Sequence, residues 1–209
     1  MNQTTKLSAF DDELARAVRT LARRDPEIRG LIKTHGPPTF RPHKDYFPTL
    51  VHAVISQQIS GSAAESIRRK LLDVLGGAFD PRLLLELPDE TIRGAGISPQ
   101  KLGYLRSLAE HVVDKRLDFK KIVRLEDHEV VEALTAVKGI GIWTAQMFLI
   151  FSLGRLDVLP VGDLGVQRGI QKCYALADLP RPAHVAEIAE GRRWAPYRSV
   201  AAWYMWRAS

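Results

Sequence analysis

Two short stretches of this 209-residue chain hold residues whose types and spacing could do chemistry. The first runs Leu134-Thr-Ala-Val-Lys138-Gly139-Ile140-Gly141-Ile142-Trp143-Thr144-Ala145, with two glycines flanking one aliphatic residue. Glycine permits positive φ and lets another backbone come close. In a turn between two helices, the first amides of the second helix point outward without intrahelical partners. Such an N-terminus binds anions, phosphate above all. Ile140 would tuck between the two helices. A purely structural turn carries the same Gly-x-Gly spacing. The second stretch is Pro160-Val161-Gly162-Asp163, just ahead of a helical pattern from Leu164. Asp163 stands where an N-cap would. A capping carboxylate is held in place and points where the loop is open, so it could stabilise a developing cation or orient a water.

Other chemistries are excluded by what the chain lacks. One cysteine, Cys173, rules out a disulfide framework, a cysteine zinc site and a four-cysteine iron–sulfur cluster. Cys173 reads as a small core residue. Six histidines are scattered without metal-ligand spacing, so no catalytic metal is expected. Lys and Arg number 30 against 24 Asp and Glu, a net charge of +6. That excess points first to an anionic partner such as nucleic acid, although a basic surface also serves solubility alone. The first residues, MNQTTKLSAFDDELARAV, show no basic-then-apolar signal pattern, and no apolar run approaches the ~18 residues of a membrane span. The expectation is a soluble cytoplasmic protein without membrane contact.

The elements that would position these residues read as almost entirely helical. Leu14, Val18 and Leu21 share a helical face, with Asp11 or Asp12 as the cap. Prolines from Pro37 to Pro42 make a loop. Phe47, Leu50, Val51, Val54 and Ile55 form an apolar stripe. Ser60 starts a helix over 63–75, which Gly76-Gly77 ends. Asp80-Pro81, Pro88-Asp89 and Ser98-Pro99 each open a short helix; Asp89 and Asp127 each can cap the helix that follows. Two helices over 130–137 and 142–153 enclose the glycine turn, and further helices cover 164–176, 183–189 and 198–206. There are no convincing strands. Many short helices with short connections predict an orthogonal all-α packing.

At this point the motifs combine. Val137-Lys-Gly-Ile-Gly-Ile-Trp143-Thr-Ala and Leu159-Pro-Val-Gly-Asp163-Leu-Gly-Val-Gln-Arg168 resemble the helix–hairpin–helix plus Gly/Pro…Asp signature of the DNA glycosylase superfamily. Phe47 to Ser60, FPTLVHAVISQQIS, and Arg193-Trp-Ala-Pro-Tyr197-Arg-Ser199 resemble motifs of its 3-methyladenine DNA glycosylase II (AlkA-like) branch. The resemblance runs in order over residues 40 to 207.

It implies a helix–hairpin–helix DNA glycosylase fold with two helical subdomains flanking an active-site cleft. Residues 48–155 would form one subdomain ending in the hairpin. Residues 1–47 would pack with 156–209, the part carrying the catalytic aspartate. The larger members' N-terminal β domain has no counterpart in the roughly forty residues before the first family helix.

By the same resemblance Asp163 is the catalytic residue that stabilises the oxocarbenium-like sugar or positions the attacking water. Trp143 stands where bifunctional members carry a catalytic lysine. Tryptophan cannot form a Schiff base, so no lyase activity is expected, and its face suits a cationic base. Met147 and Tyr197 match further base-pocket positions, and Gln58 matches the DNA wedge. Lys138, Gly139, Gly141 and Thr144 would meet DNA phosphate. Backbone carbonyls of Thr135, Val137 and Ile140 match the family's structural Na+ or K+ site. Trp203 and Trp206 read as core or helix packing.

The implied function is a monofunctional glycosylase of base excision repair. It would act as a nucleoid-associated bacterial monomer on damaged double-stranded DNA, flip the lesion out and release alkylated purines of the 3-methyladenine and 7-methylguanine type. It would need no cofactor and no iron–sulfur cluster. The alternatives are a glycosylase for deaminated or oxidised bases on the same scaffold and a non-catalytic helix–hairpin–helix DNA-binding protein.

Overall fold

The computed structural model describes residues 3–209, with side chains from residue 9 onward, and those residues contain helices and loops but no strand. The chain divides into two compact units, one made of the residues up to Pro42 together with Leu149–Ser209, the other of His43–Phe148.

The first unit begins with α1 (Gln3–Arg24) and α2 (Pro26–His35). Asp11 and Asp12 lie well inside α1, so neither caps it. The sequence reading passed over α2, although Asp25-Pro26 is a plain start signal. Asp25 accepts the amides of Glu27 and Ile28, and proline takes the first helical position. Its other oxygen accepts the Tyr174 hydroxyl at 2.6 Å and the Trp194 indole at 2.9 Å, which satisfies a fully buried carboxylate.

The second unit holds eight helices: α3 (Tyr46–Ser56), α4 (Gly61–Val74), α5 (Pro81–Glu86), α6 (Asp89–Gly94), α7 (Pro99–Val113), α8 (Phe119–Ile122), α9 (Asp127–Thr135) and α10 (Ile142–Met147). The apolar stripe of α3 is buried as its spacing requires, against α4 and α7, and α5 packs on α7. Ser60 and Ser98 cap α4 and α7 through their hydroxyls. Two caps differ from expectation. Glu126, in a capping box with Glu129, caps α9 in place of Asp127, and Pro88 precedes α6 in place of Asp89.

The chain then returns to the first unit through a π-helical turn at Phe148–Ser152. The helix expected over 142–153 is therefore interrupted, a distortion that recurs at functional sites. It continues with α11 (Leu164–Cys173), α12 (Pro182–Gly191) and α13 (Arg198–Ala208). Their apolar faces join those of α1 and α2 around Leu21, Ile28, Ile170, Trp194 and Tyr204. Cys173 lies at the margin of this core, its thiol pKa raised by burial. Trp203 packs there as expected, edge-on to Tyr204.

Candidate active site

In the first unit, the loop ahead of α11 is held at both ends before it delivers Asp163. Ser199 is fully buried at the start of α13. Its hydroxyl accepts the Val158 amide at 2.9 Å and donates to the Arg155 carbonyl at 2.8 Å, while its own amide donates to Leu156. Beside it Arg198 grips Asp157 in a two-pronged ion pair of 2.8 and 2.9 Å. The Arg-Ser pair of the C-terminal motif thus clamps 155–158. Further along, the Asp163 amide closes a turn on the Pro160 carbonyl, and the Gln167 side chain donates to Val161.

Asp163 is 8% exposed and caps α11. Its Oδ1 accepts the Val166 amide at 2.8 Å, the ordinary N-cap bond. The same oxygen accepts the Trp206 indole N–H at 2.8 Å. Trp206 packs against the core as expected, and this bond adds a polar role to that packing. Periodicity places Trp206 on a helix face, and nothing in the spacing announces a partner 43 residues upstream. Two glycines of α11 make room for α13. A Cβ at Gly169 would stand 2.1 Å from the Met205 carbonyl oxygen, and one at Gly165 would stand 2.8 Å from the Trp206 ring.

In the second unit, the hairpin between α9 and α10 has the predicted form. Gly139 has φ +87°, Ile140 is buried, and Gly141 precedes α10 without a side chain that could cap it. Three residues the sequence reading passed over anchor it. Gln57 Nε2 donates to the Gly139 carbonyl at 2.8 Å, the Tyr104 ring lies where a Cβ of residue 139 would go, and Ser107 Oγ accepts the Lys138 amide at 3.2 Å. Lys138 and Gly141 are exposed. Thr144, in the same turn, is 8% exposed.

Trp143, in the first turn of α10, is 53% exposed, and Ile142 beside it 62%. Met147, one turn on, is half-buried. Gln58 occupies the turn between α3 and α4 with φ +58° and an exposed side chain. That left-handed conformation costs an L-residue about 1–2 kcal/mol. Lys101 Nζ donates at 2.6 Å to the Ile55 carbonyl in the last turn of α3 and so steadies the base of the Gln57-Gln58 turn; burial lowers its pKa.

The family model described as HhH-GPD superfamily base excision DNA repair protein matches residues 51–194, a span that takes in both the hairpin and Asp163. The chain belongs to this superfamily. A Schizosaccharomyces pombe protein named DNA-3-methyladenine glycosylase 1 is 35% identical, covering 94% of this chain and 88% of its own. Its compatriot, named alkylbase DNA glycosidase-like protein mag2, is 30% identical over 94% of each. A crystal structure of a DNA-3-methyladenine glycosidase from Bacillus halodurans is 39% identical, with a TM-score of 0.83 over 92% of this chain and 88% of that one. The S. pombe Mag1 structure in complex with abasic DNA superposes with a TM-score of 0.79 at 33% identity, over 92% of this chain and 95% of that one.

Within this HhH-GPD chain, the site residues expected from sequence sort by placement. Asp163 is a rigidly held carboxylate, and Trp143, Lys138, Gly141 and Gln58 are exposed. Tyr197 lies in the core beside Trp194 and Val200, 7% exposed, with its hydroxyl donating to Glu13 at 2.8 Å. Burial, reinforced by that carboxylate, raises its pKa. Its surroundings are those of a packing residue. Among the described residues no group of His, Cys, Asp or Glu is arranged to hold a metal ion, and no helix is long and apolar enough to cross a membrane.

Proposed function

We propose that this HhH-GPD chain is a monofunctional DNA glycosylase that releases alkylated purines from damaged double-stranded DNA. The observation that carries the reading is Asp163, one carboxylate held by two N–H donors within the family signature. The relatives named as 3-methyladenine glycosylases support the substrate class.

The chemistry follows from one fixed negative charge. The lesion must first leave the stack. The C1′–N bond then breaks with its electron pair going to the base, which neutralises the positive charge that alkylation placed on the ring. The sugar becomes oxocarbenium-like; water adds to C1′ and gives up a proton. A base that leaves as a neutral molecule needs little protonation, which suits a site with one carboxylate. An opposite charge about 4 Å from the developing cation contributes roughly 4 kcal/mol at an effective dielectric near 20, on the order of a thousandfold in rate.

Trp143 offers its exposed indole to the cationic base through cation–π attraction. It has no amine with which to attack C1′, so the strand is not cut. Gln58 fills the gap left by the flipped nucleotide, its side chain projected by the left-handed turn. Lys138 and the amides at Gly139 and Gly141 meet phosphate.

The hairpin carbonyls of Thr135, Val137 and Ile140 suit a hard monovalent cation by their all-oxygen chemistry. The Val137 oxygen also accepts the Ile140 amide at 3.1 Å and would bring its second lone pair. Such an ion would supply charge toward a DNA phosphate; the reaction itself needs no cofactor. In this reading the protein acts as a monomer, wherever the cell keeps its DNA.

The test is to incubate the protein with methylated duplex DNA, identify the released bases by mass, and treat the same reaction with borohydride. Free 3-methyladenine or 7-methylguanine with no nicked strand and no trapped adduct is expected. Absence of any released purine would end the reading, and a trapped adduct would end the monofunctional part of it.

A further inference from the structure

We infer that Trp206 is a positioning residue for Asp163, with Gly165 as the residue that admits it; this rests on the reading of Asp163 as the catalytic carboxylate. The terminal torsion of an aspartate is broad and roughly two-fold, so a single hydrogen bond leaves the plane of the carboxylate free to swing. The Val166 amide, three residues along the same helix, is such a bond at 2.8 Å. The Trp206 indole reaches the same oxygen at 2.8 Å from a different helix, α13. Two donors from two directions onto Oδ1 restrain the plane.

The indole is itself fixed. It lies against Phe151 of the π-helical turn, with ring centroids 5.7 Å apart and planes 31° apart. It is also wedged over Gly165, where a Cβ would come within 2.8 Å of its Cδ1 and 3.1 Å of Asp163 Oδ1. A side chain at 165 would therefore push on donor and acceptor together. An N-cap needs only the amide of its own helix, so capping does not account for the indole bond. Orientation does: charge that stabilises a transition state is effective when it needs no reorganisation at the moment of reaction.

The experiment measures single-turnover release of base from methylated duplex DNA, affinity for abasic DNA, and thermal stability. The proteins are the wild type, Trp206→Phe, Gly165→Ala, Asp163→Asn and the Asp163→Asn/Trp206→Phe pair. A hydrogen bond to a charged group corresponds to a rate loss of about ten- to a hundredfold. Trp206→Phe and Gly165→Ala are each expected to slow release within that range, with abasic-DNA affinity within about twofold of wild type. Adding Trp206→Phe to Asp163→Asn is expected to lower the residual rate no further. A folded Trp206→Phe protein that releases base at the wild-type rate overturns the proposal, as does a Trp206→Phe loss that persists undiminished on top of Asp163→Asn. Full activity in Asp163→Asn alone would instead overturn the reading beneath it. Should Trp206→Phe not fold, the indole protons decide. The Trp194 proton, bonded to Asp25, is expected to exchange slowly in both proteins; a further one of the four indole protons is expected to exchange slowly in the wild type and to shift and exchange faster in Asp163→Ala, and absence of any such responsive proton overturns the proposal.

Discussion

Gln57 and Gly139 are joined across 82 residues by a 2.8 Å hydrogen bond from the glutamine amide to the glycine carbonyl. The turn that projects Gln58 and the hairpin assigned to DNA phosphate are therefore one mechanical piece within the second unit. Replacing Gln57 by Ala removes a bond between neutral groups, with an expected loss of about 1 kcal/mol in stability. Affinity for abasic DNA should fall a fewfold because the hairpin is less well held. Chemical denaturation and a binding titration check both numbers; an unchanged affinity would show that the hairpin does not depend on this strut.

Gly139 has no tolerance for a side chain. Its φ is +87°, and a Cβ would stand 2.2 Å from the Tyr104 ring. Gly139→Val is expected to destabilise the protein by at least about 2 kcal/mol from strain and overpacking. Binding should weaken on every DNA sequence alike, since phosphate contacts carry no sequence information. A loss confined to some sequences contradicts the phosphate role.

Asp163→Asn separates capping from catalysis. Asparagine keeps an acceptor oxygen for Val166 and is as good an N-cap, so the melting temperature should move little. The negative charge is gone, and base release should fall about a thousandfold or more. Affinity for abasic DNA should stay close to wild type. Release at an undiminished rate would remove Asp163 from the mechanism.

Gln58→Gly trades function for ease of folding. Glycine adopts φ +58° without steric cost, which roughly offsets its extra unfolded-state entropy. Thermal stability should hold or rise slightly. Without a side chain to fill the gap, excision from duplex DNA should slow roughly tenfold, a part of the few kcal/mol that unstacking costs. Equal rates on duplex DNA would show that Gln58 is not the wedge.

Alkaline pH should destabilise the first unit. Burial pushes the Tyr204 phenol up to about 12, and burial also raises Tyr174 and Tyr197. The unfolded chain releases these protons near pH 10. Stability is thus fully present below about pH 10 and is lost as pH rises toward 12, because the folded state holds more protons. Denaturant unfolding between pH 9 and 12 should give a falling curve, and Tyr204→Phe a shallower one. Parallel curves would mean that Tyr204 titrates alike in both states.

Most of the helices were legible from local signals. The Ser98-Pro99 start and the apolar stripe of α3 depend on neighbours within one or two turns, and both hold. The misplaced caps at Asp11, Asp89 and Asp127 fail for the opposite reason. Where a helix begins depends on the packing of its whole body: α1 already runs from Gln3, and Asp89 and Asp127 are the first helical residues of α6 and α9, behind Pro88 and Glu126. The break after Met147 was not legible either, because a π-helical turn has no composition of its own.

The sequence by itself determined the all-helical class, the glycine turn and the family, because these rest on residue types at short, fixed spacings: Gly139 with Gly141, and Asp163 ahead of Leu164. The tertiary structure decided which side chains serve those residues. Trp206 on Asp163, Gln57 on Gly139 and Ser199 on the 155–158 loop are bonds over 43, 82 and 41 to 44 positions. No periodicity reaches so far. Such pairs exist only once helix packing has brought the segments within about 3 Å, the range over which a hydrogen bond forms.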